Sequence, residues 1–508
     1  MSMRAAIRLL TICTAGVAML ATAVPAANAG YPFKCPKNTV LVLEHEDPTA
    51  TPSPHVGPTA IQDAIEEAHG LTDADMDPEN PVPSSSGGDT VIVCDGTYME
   101  NVSVPLADGG GTNSDITIRS FDDGSNPTIV GTSTTDPVFD INAPGVLLGG
   151  THLGFEITGV SPIGIRVTDP TSRPDLDEDD DQELGECPDD PPIGVDADCR
   201  DEERSPFVTS NVAVIGNEIR NLGDGTSDVT GIAVSNTNNT LVFRNKVDRV
   251  KTGAGNIAYG IRYSGTNYNN EVISNAVTEL SQTGPSCANP SLTNPTEGAV
   301  AIAIQQEALD ALVHQNLIDK IQSSCSAIGV HSNAWGGLEN TRNGQQAPIV
   351  TDILDNRIKK VQSTSTGSNP AAGVALAPLN PPANPSDDND DNEAPSSFRV
   401  LANDIDETAI SVAVLMGMAP NSYIRENDLD KNQIGVLNAS GFNVDATNNW
   451  WGCTEGPASG KGGCSTIMNV EPDPDPDDMV VNSTTSYTPW LKKHAAHAGA
   501  HAGEYAGH

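Results

Sequence analysis

Apolar residues recur along this chain in short runs at alternate positions, and through its second half pairs of such runs bracket an asparagine. The copies read VAVIG then Asn217, TLVFR then Asn245, NEVIS then Asn275, ALVHQ then Asn316, TDILD then Asn356, FRVLA then Asn403, and SYIRE then Asn427. Asn448 in DATNNWWG closes the series. An apolar residue follows each asparagine at the next-but-one position. After a variable loop a third run appears, as in GIAVS (231–235), GIRYS (260–264), IGVHS (328–332) and GVALA (373–377). Alternation is the period of a strand. Three short strands per repeat cannot bury one face alone, so successive repeats must stack and bury it together. The spacing between asparagines is uneven, and the excess falls in Pro-, Gly-, Asn- and Asp-rich segments, which read as loops.

Asparagine tolerates the left-handed backbone conformation, which suits it to a tight corner between two strands. Stacked at one corner of every coil, Asn217, Asn245, Asn275, Asn316, Asn356, Asn403, Asn427 and Asn448 are expected to hydrogen-bond to one another as a ladder. Alternation also assigns faces. In the third run of each repeat Ile232, Val234, Ile261, Tyr263, Ile302, Ile304, Ile328, Val330, Val374 and Leu376 are expected inward. The outward stack is then Arg166, Ala233, Arg262, Ala303, His331, Ala375 and Ser411.

The front of the chain supplies a cover for the open end of such a stack. TAIQDAIEEA (59–68) places Ile61, Ala64, Ile65 and Ala68 on one face of a short amphipathic helix. Residues 1–29 have a basic start, an apolar run and a small-residue ending, the pattern of a secretory signal peptide. The expected layout is a signal peptide at 1–29, an amino-terminal cap at 30–70, coils over 71–452, a cap at 453–492 and a flexible His-rich tail at 493–508. An acidic insertion at 169–205 interrupts the coils.

Eight cysteines lie beyond the signal segment, an even number that favours disulfides in an exported chain. Proximity pairs Cys187 with Cys199 and Cys453 with Cys464. Cys35 and Cys94 would staple the amino end, which leaves Cys287 with Cys325. The formal charge of −42 argues against nucleic acid and anionic membrane as partners. No run in the mature chain has the length and apolarity of an integral membrane segment.

IQDAIEEA, GDTVIVCDGTYMENVSV, the Asn-bearing coils, VDATNNWWGCTEGP and TPWL together resemble secreted right-handed parallel β-helix proteins of the pectin lyase-like superfamily. The likeness runs from about Val40 to Leu491. It implies an all-β chain, a single right-handed three-sheet parallel β-helix of roughly ten coils. A helix caps its amino end and a disulfide-closed segment its carboxyl end. That family mixes polysaccharide lyases, hydrolases and epimerases with members of no known activity, so fold alone does not select a function.

The resemblance also says where chemistry would sit. In the family's lyases sugar acids lie in a groove over one sheet, where a basic residue abstracts a proton next to a carboxylate. Arg262 and His331 are the residues of the outward stack that fit such a role. Arg166 on the same stack, and Trp335 in the loop NAWGG, are candidates for contacting sugar. The acidic motifs of polygalacturonases, the arginine-rich motif of pectate lyases and the DPHE motif of alginate epimerases are not recognisable. The expected function is therefore a secreted or cell-surface protein, at the periplasm or cell exterior, that engages polysaccharide without catalysis. Lyase action on uronate polysaccharide is the alternative, and a structural role with divalent cations a third.

The strand after each asparagine carries charge outward, and it ends with Asp404, Asp406, Asp428 and Asp430 on two successive coils. Such a stack needs a cation or a basic partner, and Arg357 and Lys359 lie one coil earlier. Calcium accepts six to eight oxygens and is the candidate ion. Asp177, Asp179 and Asp181 in the acidic insertion form a second, poorer calcium candidate.

Overall fold

The computed structural model describes residues 35–43, 52–68, 89–105, 116–121, 126–150, 152, 154–169, 209–284, 287, 298–306, 308–309, 311–334, 341–342, 345–346, 350–364, 371–377, 397–415, 422–441, 443–457, 464–470, 483–495 and 498–499. The chain divides into two compact units, Met1–Pro36 and Lys37–His508. The solenoid is the second. The signal segment, the acidic insertion with Cys187 and Cys199, Asp177, Asp179, Asp181 and Trp335 all lie outside the described residues.

Alternating apolar runs form three long sheets of 14, 11 and 12 strands. They are called here sheets 1, 2 and 3. One turn of the coil is Leu241–Phe243 in sheet 1, Lys246–Asp248 in sheet 2 and Ile257–Tyr268 in sheet 3. The next turn repeats it with Val242 beside Val272, Val247 beside Val277 and Ile261 beside Ile302, all strands parallel. These residues have no exposed surface, and their equivalents in other coils fill the interior as continuous columns. The chain is a right-handed parallel β-helix.

The first two strands of sheet 1, Ser53–His55 and Val40–Leu43, run antiparallel. Twelve parallel rungs remain in that sheet, more than the ten expected. Three of the twelve lie at the front, where Thr90–Val93, Thr117–Ser120 and Leu147–Gly149 form rungs with no ladder asparagine to mark them. At about 4.8 Å per rung the stack is about 50 Å long.

The corner between sheets 1 and 2 differs from its expected construction in one respect. The left-handed residue is the one before each ladder asparagine: Gly216, Arg244, Ser274, Gln315, Asp355, Ala402, Glu426 and Asn448 all have φ between 53° and 70°. The asparagines themselves are free of that strain. Their side chains turn inward, fully or almost fully buried. From Asn245 onward each Oδ1 accepts the backbone N–H of the asparagine one coil earlier, as in Asn245 N to Asn275 Oδ1 (2.8 Å) and Asn316 N to Asn356 Oδ1 (2.9 Å), while Asn217 Oδ1 accepts Phe155 N. Each Nδ2 donates to the next Oδ1 and to a carbonyl of the previous coil, as Asn316 does to Asn356 (3.0 Å) and Val272 O (2.9 Å). The closing member is Asn449 rather than Asn448: Asn427 N donates to Asn449 Oδ1 at 2.9 Å, while Asn448 takes the left-handed corner.

Sheet 3 bends within every rung. Gly231, Gly260, Gly329 and Gly373 occupy one inward column where an added Cβ would lie under 3 Å from the next coil's backbone or an interior side chain. The residue after the glycine also faces in, so the alternation skips a step there. Two facing expectations fail for this reason. Ile328 lies before Gly329 and joins an outer apolar cluster with Tyr259, Val300 and Ala372. Ser411 stands beside Gly373 in the inward column, and Ala413 holds the outward place beside Ala375.

Both ends are closed as expected. The helix Ala60–Ala68 buries Ala60, Ile61, Ala64, Ile65 and Ala68 against the first strands. At the far end Trp451 is fully buried over Gly435, and Trp490 packs on Gly456 and donates to Thr454 O. Cys453 pairs with Cys464, Cys287 with Cys325, and Cys35 and Cys94 are each disulfide-bonded. Among the described residues no helix is long and apolar enough to cross a membrane.

Candidate functional site

The outward stack of sheet 3 is in register as anticipated: Arg166, Ala233, Arg262, Ala303, His331 and Ala375 are consecutive partners. Two rungs separate Arg262 from His331, about 10 Å at the spacing of a sheet. Yet this face is not a wall of an open groove at His331. The imidazole has no exposed surface, and Ala303, Ala375 and Ala413 beside it are equally buried in the outer apolar cluster. Arg262 is half-buried, donates to Gln305 Oε1 at 2.9 Å and lies over the Tyr259 ring. Arg166 is engaged by Asp140 through two parallel bonds, Nε to Oδ1 at 2.7 Å being one. That carboxylate holds the guanidinium above its ordinary pKa. As placed, the two arginines are each engaged by a residue of an adjacent coil, and the imidazole is enclosed by small apolar neighbours.

Charges on sheet 2 are organised the same way. Residues after the asparagine stack in two columns, and opposite signs meet across coils. Lys246 Nζ reaches Glu218 Oε1 at 3.0 Å, Lys360 reaches Asp319 at 3.7 Å, and Arg220 engages Glu156. The expected quartet of aspartates splits in two. Asp404 is met by Arg357 (3.3 Å) and Lys359 (3.4 Å), and Asp406 by Lys359 (3.1 Å) and Lys431 (3.2 Å). Basic side chains thus offset the charge of that pair, although Asp406 Oδ1 is itself buried without a hydrogen-bond partner.

The second half of the quartet is different. Asp428 stacks directly on Asp404 and is followed in the same column by Trp450. Its side chain is buried, and no lysine or arginine among the described ion pairs reaches it. Its partner comes from the tail: His494 Nδ1 meets Asp428 Oδ2, and the imidazole packs on the Trp450 ring with centroids 5.1 Å apart. Asp428 Oδ1 is buried with no hydrogen-bond partner. Asp430 completes the group, and the ligand atoms of Asp428, Asp430 and His494 all lie within 4.8 Å of one another. Burial pushes the Asp428 carboxyl above the ordinary range, partly offset by His494, and the Asp428 carboxylate in turn raises the His494 imidazole.

His494 reaches this place because the tail is tied down on both sides. Leu491 N donates to Asn449 O at 3.0 Å, and Lys492 Nζ donates to Thr454 O at 2.9 Å. Gly499 N donates to Ala402 O at 2.9 Å. The described residues of the tail, 493–495 and 498–499, lie along the last coils. Composition gave no warning, because Ala/Gly/His sequence has no apolar period and the contacts are made to distant coils.

A third exposed feature lies at the corner between sheets 3 and 1. Asn211, Asn239 and Asn269 all have φ near 50° and project into solvent on successive coils. Asn239 Nδ2 donates to Asn211 Oδ1 at 3.3 Å. No family model matches this chain, and no curated protein matches it.

Proposed function

We propose that this is a non-catalytic extracytoplasmic β-helix protein, of the pectin lyase-like kind its sequence resembles, that engages polysaccharide along one flank. The observation that carries the reading is the exposed amide row Asn211, Asn239 and Asn269. Each side-chain amide offers two donors and a two-lone-pair acceptor, the complement of sugar hydroxyls. Repeated at coil spacing, weak contacts of this kind add along a polymer. The excess of acid favours neutral chains over uronates, which the protein field repels.

Support for a non-catalytic role comes from the buried imidazole of His331 and from Arg166 and Arg262, each spent on a neighbour. Export is supported by three paired cysteine sets and by the leader-like start of the sequence.

Retention of the full chain on insoluble neutral glucans, mannans and galactans, in EDTA, tests the proposal. Wild type should bind at least one class, and the Asn211→Ala/Asn239→Ala/Asn269→Ala triple variant should lose at least tenfold in affinity. Retention by none of them, or equal retention by the variant, would reject the amide row. Growth of unsaturated-uronate absorbance on alginate or pectate, lost in Arg262→Ala, would replace it with the lyase reading.

A further inference from the structure

We propose that Asp428, Asp430 and His494 form a binding site for a divalent transition metal, and that loading it fastens the carboxyl-terminal tail to the last coils. The inference stands apart from the polysaccharide reading, since it uses neither the amide row nor sheet 3.

Three observations converge on it. Donor atoms of the three residues lie within 4.8 Å of one another, so a small inward shift of the exposed His494 and half-buried Asp430 side chains would bring all three onto one ion. Asp428 is more than nine-tenths buried, and its Oδ1 has no hydrogen-bond partner. A buried carboxylate oxygen left so is costly unless a ligand satisfies it. The neighbouring carboxylates of Asp404 and Asp406 are already met by Arg357, Lys359 and Lys431, so those bases are committed one coil away.

The donor set selects the class of ion. One imidazole nitrogen with two carboxylates suits zinc, nickel, cobalt or copper, whereas calcium takes oxygens and a larger number of them. The proposed ion thus differs from the calcium expected from the aspartates alone. Three protein ligands leave a position for water, as in zinc sites with an open place. The Trp450 ring against His494 limits the freedom of the imidazole and orients it toward the carboxylates.

The site also has a consequence for the tail. Asp428 and Asp430 belong to the coil, and His494 belongs to a segment whose described residues meet it through contacts such as Gly499 N to Ala402 O. An ion bridging the two adds its binding free energy to docking, by the linkage that makes any ligand of one state stabilise that state.

The test uses the full chain, stripped with EDTA and dialysed, with zinc chloride as the probe. Calorimetric titration should show one zinc per chain. His494→Ala and Asp428→Asn should each weaken it at least tenfold. His494 is largely exposed, so its replacement leaves the fold intact even if Asp428→Asn does not. A His497→Ala/His501→Ala/His508→Ala variant should bind as wild type does. Zinc should also slow proteolytic removal of the segment after Trp490 in wild type and not in His494→Ala. Undiminished binding in His494→Ala, binding carried by the other three tail histidines, or equal competition by calcium would each overturn the proposal.

Discussion

Asn316 shows why a single amide matters so much in this fold. Its Oδ1 accepts Asn275 N (2.9 Å) and Asn275 Nδ2 (3.1 Å), and its own Nδ2 serves Val272 O and Asn356 Oδ1. All of these groups are buried, so deleting the amide strands donors and acceptors on the two flanking coils with no water to take them. Unsatisfied buried groups cost about 1–3 kcal/mol each. Asn316→Ala is therefore expected to lower stability to urea by about 3 kcal/mol or more, while exposed Asn239→Ala should cost only the left-handed strain of its corner, about 1 kcal/mol. Equal losses would mean that the ladder is ornamental. The ladder's membership was legible in the sequence because the amide recurs with the same apolar neighbours. Its reason was less so. Left-handed corners are occupied by Arg244, Gln315 and Glu426, which carry no such preference, and the asparagine is there for its inward hydrogen bonds. In the pair Asn448–Asn449 the two roles fall to adjacent residues of one type, which sequence cannot separate.

At the scale of elements, the helix Ala60–Ala68 is held by a carboxylate from the first coils. Glu100 is buried, and its oxygens accept Ile61 N at 3.3 Å and Gln62 N at 3.2 Å, two of the free amides at the helix start. Gln62 Oε1 in turn accepts Ser103 N at 2.8 Å, so the cap and the coil exchange bonds. Burial outweighs these donors and raises the Glu100 carboxyl to about 7. A carboxyl raised above its unfolded value binds its proton more tightly when folded. Its contribution is thus complete below about pH 4.5 and is lost as pH rises through about 7. Urea denaturation at pH 5 and pH 8 should show wild type losing about 2–3 kcal/mol more than Glu100→Gln over that interval. A parallel course for the two proteins would rule the carboxyl out as the source. The helix itself was plain from its apolar face, whereas Glu100 was invisible, because its bond joins residues 39 apart in sequence. Sheet 3 failed in the opposite way. Its alternation was read without the inward glycine column, so Ile328 and Ser411 were given each other's faces.

For the whole molecule the governing quantity is charge. The chain carries 68 acidic and 26 basic side chains, and Arg220, Lys246, Arg357 and Lys359 of sheet 2 are already paired along the coils. Those pairs are partly exposed, as with Lys246 and Glu218 at 35% and 28%, and such pairs are worth about 0–1 kcal/mol each. Against them stand the unpaired acids. Like charges one coil apart repel by about 0.9 kcal/mol even at the dielectric constant of water, and the repulsion extends over many neighbours. Salt screens both, but it acts over about 10 Å at 0.1 M and about 3 Å at 1 M, so long-range repulsion is removed more completely than contact pairing. The net effect follows from the sign of the imbalance: raising NaCl from about 0.02 M to about 1 M, in EDTA throughout, should raise the melting temperature. A melting temperature that falls with salt would mean that the coil-to-coil ion pairs outweigh the surplus of acid, and that those pairs hold the solenoid together.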